Sequence, residues 1–386
     1  MKKKKLLLKL AALTACSVIA FTGCQAKQDN SGSSSANTES GTKKGTRKIV
    51  DAVGRTVEIP EKVSKVIVDS PTVFRLYSYI NKSNNIVGVS DRDKNGAKDV
   101  PYGFAFPEKK DIKAFGSGYA INDFEGVVLE NPDVIFSVSK KEIAEYDKIQ
   151  AQTKVPVIAL DQGKDFIFDE KMYNSLEIIG KVMGKEERSK EVIDYMRGLK
   201  KDLEERAGKV KEVKTAYAGG LVWNGPHGIE GTRENYALFN INKVKNVVTG
   251  LNKNGHVDID KEKILEWNPE YIILDVESMP LIQDDYNKNK DFYKSIRAFK
   301  EGKVFGQLPF AKYNVNIDTA MLDAYFIGKT IYPENFKDID LEKKGDEIYE
   351  KLLGKKLYSR VVGRFPKGLQ PITLEDLDNN MFIKKN

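Results

Sequence analysis

From Lys48 onward, short apolar runs alternate with mixed, helix-like segments. Val66-Ile67-Val68, Ile86-Val87-Gly88-Val89, Val134-Ile135-Phe136 and Val155-Pro156-Val157-Ile158-Ala159-Leu160 are brief and nearly continuous in apolar character. That pattern predicts parallel strands buried on both faces rather than half-exposed ones. Before them, Lys48 to Pro60 reads as two alternating arms around Gly54, a β-hairpin. After Lys185 the period changes. Val192, Ile193, Met196, Leu199 and Leu203 share one helical face, which predicts a long helix from Glu186 to about Ala207, with Gly208 at its stop. Strand-like runs resume at Thr215-Ala216-Tyr217-Ala218, Tyr271-Ile272-Ile273-Leu274 and Val304-Phe305-Gly306. The order is α/β, one long helix, then α/β again.

The two halves echo one another. Glu125-Gly126-Val127-Val128-Leu129-Glu130-Asn131-Pro132-Asp133-Val134-Ile135 is matched by Glu262-Lys263-Ile264-Leu265-Glu266-Trp267-Asn268-Pro269-Glu270-Tyr271-Ile272. In each copy a short helix is expected to end at the Asn, because a residue before proline is biased away from the right-handed helical region. An acid-led strand then follows. The same pattern at comparable places in two halves points to duplication.

The first residues belong to another kind of pattern. Met1-Lys2-Lys3-Lys4-Lys5 precedes an apolar run that ends Phe21-Thr22-Gly23-Cys24. A basic start, a short apolar core and small residues before a cysteine predict a secretory signal over residues 1–23 with a lipobox, and lipid on Cys24. Phe21 stands where this box usually has Leu. The run from Leu10 to Phe21 is shorter than the ~20 residues of a membrane span. Residues 24–47 are polar, rich in Ser, Gly, Thr, Asn and Lys, and read as a flexible tether. The protein is thus expected outside the cytoplasm, anchored to the cell membrane.

Composition narrows the chemistry. Removing residues 1–23, which hold five lysines and no acids, lowers the formal charge from +7 to +2, which argues against nucleic acid as a partner. Both cysteines, Cys16 and Cys24, fall in the signal or at its end, and His227 and His256 are the two histidines. Thiolate catalysis and a zinc site built on several imidazoles are therefore excluded. No G-x-S-x-G, Walker loop or H-E-x-x-H motif occurs, so a binding protein is expected rather than an enzyme.

The Asp51-to-Pro60 hairpin with Gly54-Arg55, the echoed Glu…Asn-Pro-acid units, the Gly180…Gly184-Lys185-Glu186 lead into the long helix and the lipobox resemble the substrate-binding lipoproteins of ABC importers for ferric siderophores, haem and vitamin B12. The likeness covers residues 48 to about 355. It implies two Rossmann-like α/β lobes, 48–184 and 208–386, joined by a single helix over 185–207, with ligand in the cleft between them and modest closure on binding. Residues 356–386 are expected either to pack as an extension or to trail loose. The resemblance also implies that Glu125 and Glu262 dock onto arginines of the ABC permease subunits, a contact suited to bidentate Arg–carboxylate geometry. A monomer is expected.

Ligands of open α/β sheets bind beyond the carboxyl ends of the strands. In the first half this singles out Thr72, beside a predicted Ser70 N-cap and Pro71 at the first helical position. The helix N–H groups there suit an anion. Arg92, Tyr119 and Ser139 (with Lys140) are further candidates, each also readable as solvated loop. The second half is densest at Ala218 to Ile229, where glycines let backbone approach a ligand, Trp223 offers a flat face and His227 donates or coordinates. Arg233, Tyr236 and Tyr313 follow, whereas His256 reads as a solvated turn. No cofactor is expected. The ligand is expected to be a ferric chelate, a siderophore first, since the resemblance implies that Arg, Tyr and Trp meet such anionic chelates. Haem or a corrinoid, or an oxyanion such as molybdate or tungstate, are the alternatives.

Overall fold

The computed structural model describes residues 45–116, 121–138, 142–164, 167–251 and 255–383. The signal segment with Cys24, and the candidates Tyr119, Ser139 and Lys140, lie outside the described residues. The chain opens on the hairpin β1 (Thr46–Val50) and β2 (Thr56–Pro60), with Ile49 opposite Val57. Its first strand starts two residues before Lys48, where the tether was expected to yield to structure. Arg55 fixes the turn: its Nε and Nη2 donate to Asp51 Oδ2 at 2.9 and 2.7 Å, and Nη2 also donates to Val157 O at 2.6 Å. The hairpin is thereby fastened to the first large sheet.

That sheet uses β3 (Val66–Val68), β4 (Ile86–Val89), β5 (Lys113–Ala114), β6 (Val134–Val138) and β7 (Val157–Leu160), with helices α1 (Pro71–Asn81) and α2 (Phe124–Glu130) between them. Its strand order is β5-β4-β3-β6-β7 and every pairing is parallel. Such a sheet is covered on both faces, which is why its strands read as unbroken apolar runs. Helix α3 (Glu170–Met183) ends at Gly184, whose φ of 62° is left-handed. The interlobe helix α4 (Glu186–Gly208) then begins. A Cβ on Gly180 would stand 2.5 Å from Ser189 Oγ, so glycine permits the close crossing of α3 and α4. Val192, Ile193, Met196, Leu199 and Leu203 are buried along α4 as the periodicity predicts, and at 23 residues the rod is about 35 Å long. Gly208 is its last residue rather than the stop beyond it.

The second half supplies β8 (Thr215–Gly219), β9 (Gly231–Arg233), β10 (Lys245–Asn246), β11 (His256–Asp258), α5 (Glu262–Trp267), β12 (Tyr271–Asp275), β13 (Val304–Gln307), α6 (Ile317–Ile331), α7 (Leu341–Leu353) and β14 (Gln370–Pro371). Its sheet runs β10-β8-β12-β13-β14, parallel except for β14, and β9 pairs with β11 separately. Residues 356–383 do not trail loose. Leu369 N donates to Gly306 O and Ile372 N to Val304 O, both at 2.8 Å, so this segment adds an antiparallel edge to the second sheet.

The echo has a shared structural basis. Asn131 and Asn268 both end their helices in the left-handed region, at φ 51° and 45°. Asp133 Oδ2 accepts from Ser64 N at 2.7 Å and Lys65 N at 2.9 Å, at the entrance to β3. Glu270 Oε2 accepts from Thr215 N at 3.1 Å, at the entrance to β8. In each lobe the acid after Asn-Pro therefore ties down the start of the neighbouring parallel strand. The two lobes keep apolar clusters of their own and also share one. The largest apolar cluster runs from Ile49 to Leu369, through Phe74 and Tyr77 of α1, Met196 of α4, Tyr325 of α6 and Tyr349 of α7. Burying helices of both lobes against the rod removes more apolar surface from water than two isolated lobes would.

Candidate ligand cleft

The carboxyl ends of the two sheets meet through a few interlobe contacts. Lobe 1 contributes the turn after β3 with the amino end of α1, and the turn after β4. Lobe 2 contributes the segment after β13. Arg75, on α1, donates from Nε to Asn316 Oδ1 at 2.9 Å and from Nη2 to the carbonyls of Lys312 and Tyr313. Tyr79 OH donates to Asp318 Oδ2 at 3.0 Å, and Asn314 Nδ2 donates to Thr72 Oγ1 at 3.0 Å. The Arg92 guanidinium lies 5.6 Å from the centre of the Tyr313 ring. Tyr313 and Asn314 have φ of 52° and 64°, a region that a bulky residue adopts only when its surroundings impose it. Here the imposing group is Arg75, which grips two carbonyls of the same loop.

On lobe 2 the glycine-rich stretch after β8 builds an aromatic stack. Trp223 lies 3.4 Å from His227, centre to centre, with planes 13° apart, and 4.7 Å from His256 at 23°. His227 Nδ1 is 3.1 Å from Asp258 Oδ1 and its Nε2 is 3.0 Å from Trp223 O. Each ring nitrogen therefore faces an acceptor of the protein itself. His256 is not a solvated turn. It belongs to β11, opposite Arg233 of β9, and its Nδ1 is buried without a hydrogen-bond partner among the described residues. Tyr236 is buried and donates to Gln307 Oε1 at 2.5 Å. Thr72, Arg92 and Tyr313 are thus brought together across the lobes, while Trp223, His227 and Arg233 form a second group within lobe 2.

Burial, with the nearby positive charges of Arg233 and His227, pushes the His256 pKa down to about 4. The unfolded chain, with an ordinary value near 6.5, binds the extra proton first as pH falls. This histidine therefore adds stability that is complete above about pH 6.5 and is lost as pH drops toward 4. His256→Gln is expected to flatten that part of the stability profile, measured as the difference in Tm between variant and parent at pH 7 and pH 4.5. Equal differences at both values would refute the assignment.

Several groups here were not singled out by sequence. Arg75 lies mid-helix among apolar neighbours, Asn314 looks like loop, and β9 and β11 are too short to read as a pair. The alternation in Gly255-His256-Val257-Asp258-Ile259 was the available signal for β11.

Comparison with known proteins agrees with this architecture. The profile of the family described as "Periplasmic binding protein" matches residues 69–307. The molybdate-binding protein MolA of Haemophilus influenzae is 26% identical over 333 residues, which cover 79% of this chain and 90% of that protein. The uncharacterized ABC transporter substrate-binding lipoprotein YvrC of Bacillus subtilis is 21% identical over 293 residues, covering 75% and 87%. Among solved structures, MolA bound to molybdate superposes with a TM-score of 0.63 at 22% identity, covering 80% of this chain and 98% of MolA. The TroA-like protein FepB from Veillonella parvula gives 0.64 at 22%, covering 80% and 97%. With two parallel-sheet lobes bridged by one helix, and a family match over most of both sheets, the chain belongs to the periplasmic binding protein family and is a substrate-binding component of an ABC importer, not an enzyme.

Proposed function

We propose that this protein captures a small anionic solute between its lobes and hands it to a membrane permease. The observation that carries the reading is Arg92 of one lobe standing over Tyr313 of the other. A fixed cation at the seam favours an anion. Arg233 adds a second cation beside the Trp223 stack on lobe 2. Among the described residues no group of three or more His, Cys, Asp or Glu side chains is placed to hold a metal ion. An oxyanion of the molybdate and tungstate class is the solute that fits these features, and the likeness to a molybdate-binding protein supports it. A ferric siderophore is the second reading, favoured by the gathering of Trp223, Tyr313, Arg92 and Arg233 on the two sides of the seam. A haem or corrinoid has less support, since each His227 nitrogen stands about 3 Å from a protein oxygen.

On the membrane side, lipid on Cys24 and the tether 24–47 keep the protein, as a monomer, at the outer face of the membrane, and Glu125 and Glu262 engage the permease. The tryptophans are Trp223 and Trp267, so indole fluorescence reports partly on the cleft. Titrating purified protein with sodium molybdate or tungstate is expected to give a saturable change. Arg92→Ala should weaken binding about 10- to 100-fold, the worth of a charge-assisted hydrogen bond. A saturable response to a ferric catecholate and to no oxyanion would install the second reading instead.

A further inference from the structure

We infer that the amino end of α1, with Ser70 and Thr72, is a cradle for a tetrahedral oxyanion. The inference rests on the anionic-solute reading and deepens it by naming the groups that hold the ligand. Ser70 occupies the N-cap position with extended backbone, φ −161° and ψ 162°, where a serine hydroxyl ordinarily accepts from an N–H of the first turn. It makes no such bond. The residue is only 4% exposed, and its Oγ has no hydrogen-bond partner among the described residues. A buried hydroxyl left in this state costs free energy that a bound acceptor would recover.

Its surroundings suit an acceptor carrying negative charge. Pro71 fills the first helical position and has no N–H, and the first intrahelical bond runs from Phe74 N to Ser70 O. The N–H groups of Thr72 and Val73 therefore belong to the set a helix start leaves unspent, at the positive end of an 11-residue helix. Thr72 Oγ1 accepts from Asn314 Nδ2, so its own proton is available to a guest. Arg75, one turn on and 1% exposed, keeps Nη1 without a hydrogen-bond partner among the described residues. The neighbouring carboxylate of Asp69 is engaged by the Ser137 hydroxyl of β6. The position in the sheet agrees. β3 is the central strand, with β4 and β5 on one side and β6 and β7 on the other, so α1 starts where the strand order reverses.

The test uses the purified full chain, with sodium molybdate, tungstate and sulfate as probes in calorimetric titrations. Ser70→Ala and Thr72→Val are each expected to weaken oxyanion binding about tenfold, and both together more, with Tm of the unliganded protein unchanged. Two variants at separate groups keep the test open should one of them fold poorly. Parental affinity in both folded variants overturns the cradle. So does a parent protein that binds a ferric catecholate but no oxyanion, although the anionic-solute reading then stands. Binding of neither class by the parent removes both.

Discussion

Replacing Glu125 and Glu262 together by alanine is expected to abolish solute uptake by cells while leaving the affinity of the purified protein for its solute unchanged. Both glutamates are exposed, and both stand in the first turn of a short helix, α2 in one lobe and α5 in the other. One turn further on, the echo places Val128 and Leu265, 47% and 39% exposed, beside them. Each lobe thus offers a carboxylate with an apolar residue at the i+3 position, a combination suited to a partner that supplies an arginine and an apolar contact. Two charge-assisted pairs at about 1.5–3 kcal/mol each amount to roughly 10²- to 10⁴-fold in affinity for the permease. Single variants should retain partial uptake. Surface substitutions of this kind change stability by about 0.5 kcal/mol or less, so solute binding reports a folded protein. Ordinary uptake by the double variant would end the docking proposal.

Arg75→Met should be the most destabilising single change near the cleft. The guanidinium is buried among Asn316 Oδ1 and the carbonyls of Lys312 and Tyr313, 5.0 Å from the centre of the Tyr102 ring, with Asp93 and Asp318 within its electrostatic reach. Methionine fills similar volume but leaves Asn316 Oδ1 and the Tyr313 carbonyl without this donor, Asp318 without a countercharge, and Asp93 with Lys109 alone. Breaking a buried charge network by removing one member costs about 3–5 kcal/mol. Denaturant unfolding should show that loss, with Arg75→Lys in between because an ammonium keeps the charge and not the fork. A loss below about 1 kcal/mol would show that Arg75 is not what holds the 312–316 loop. Should the loop be freed, Tyr313 would relax from its left-handed backbone and the seam with Arg92 would open.

Much of the architecture was legible in local pattern. The hairpin needs alternation around Gly54, the parallel strands need short unbroken apolar runs, and α4 needs five apolar residues on one face; each is a property of neighbouring residues. The echo was legible for the same reason, because helix end, proline and acid act within about ten residues of chain. Features left open or misread depended on a partner far away in sequence. His256 reads as a turn until β9 lies beside it, Ser70 reads as an ordinary cap until its hydroxyl is found unspent, and the last residues read as extension or loose tail until β13 offers an open edge.

By itself, then, the order of amino acids determined the two α/β halves, the rod between them and the repeated glutamates. Only the tertiary structure decided that the largest apolar cluster spans both halves, that Arg75 holds the 312–316 loop, and that Arg92 meets Tyr313 across the seam. The physical reason is range. Periodicity, capping and turn chemistry are written within a few residues, whereas the burial of a charge and the pairing of an edge strand exist only once distant segments have packed.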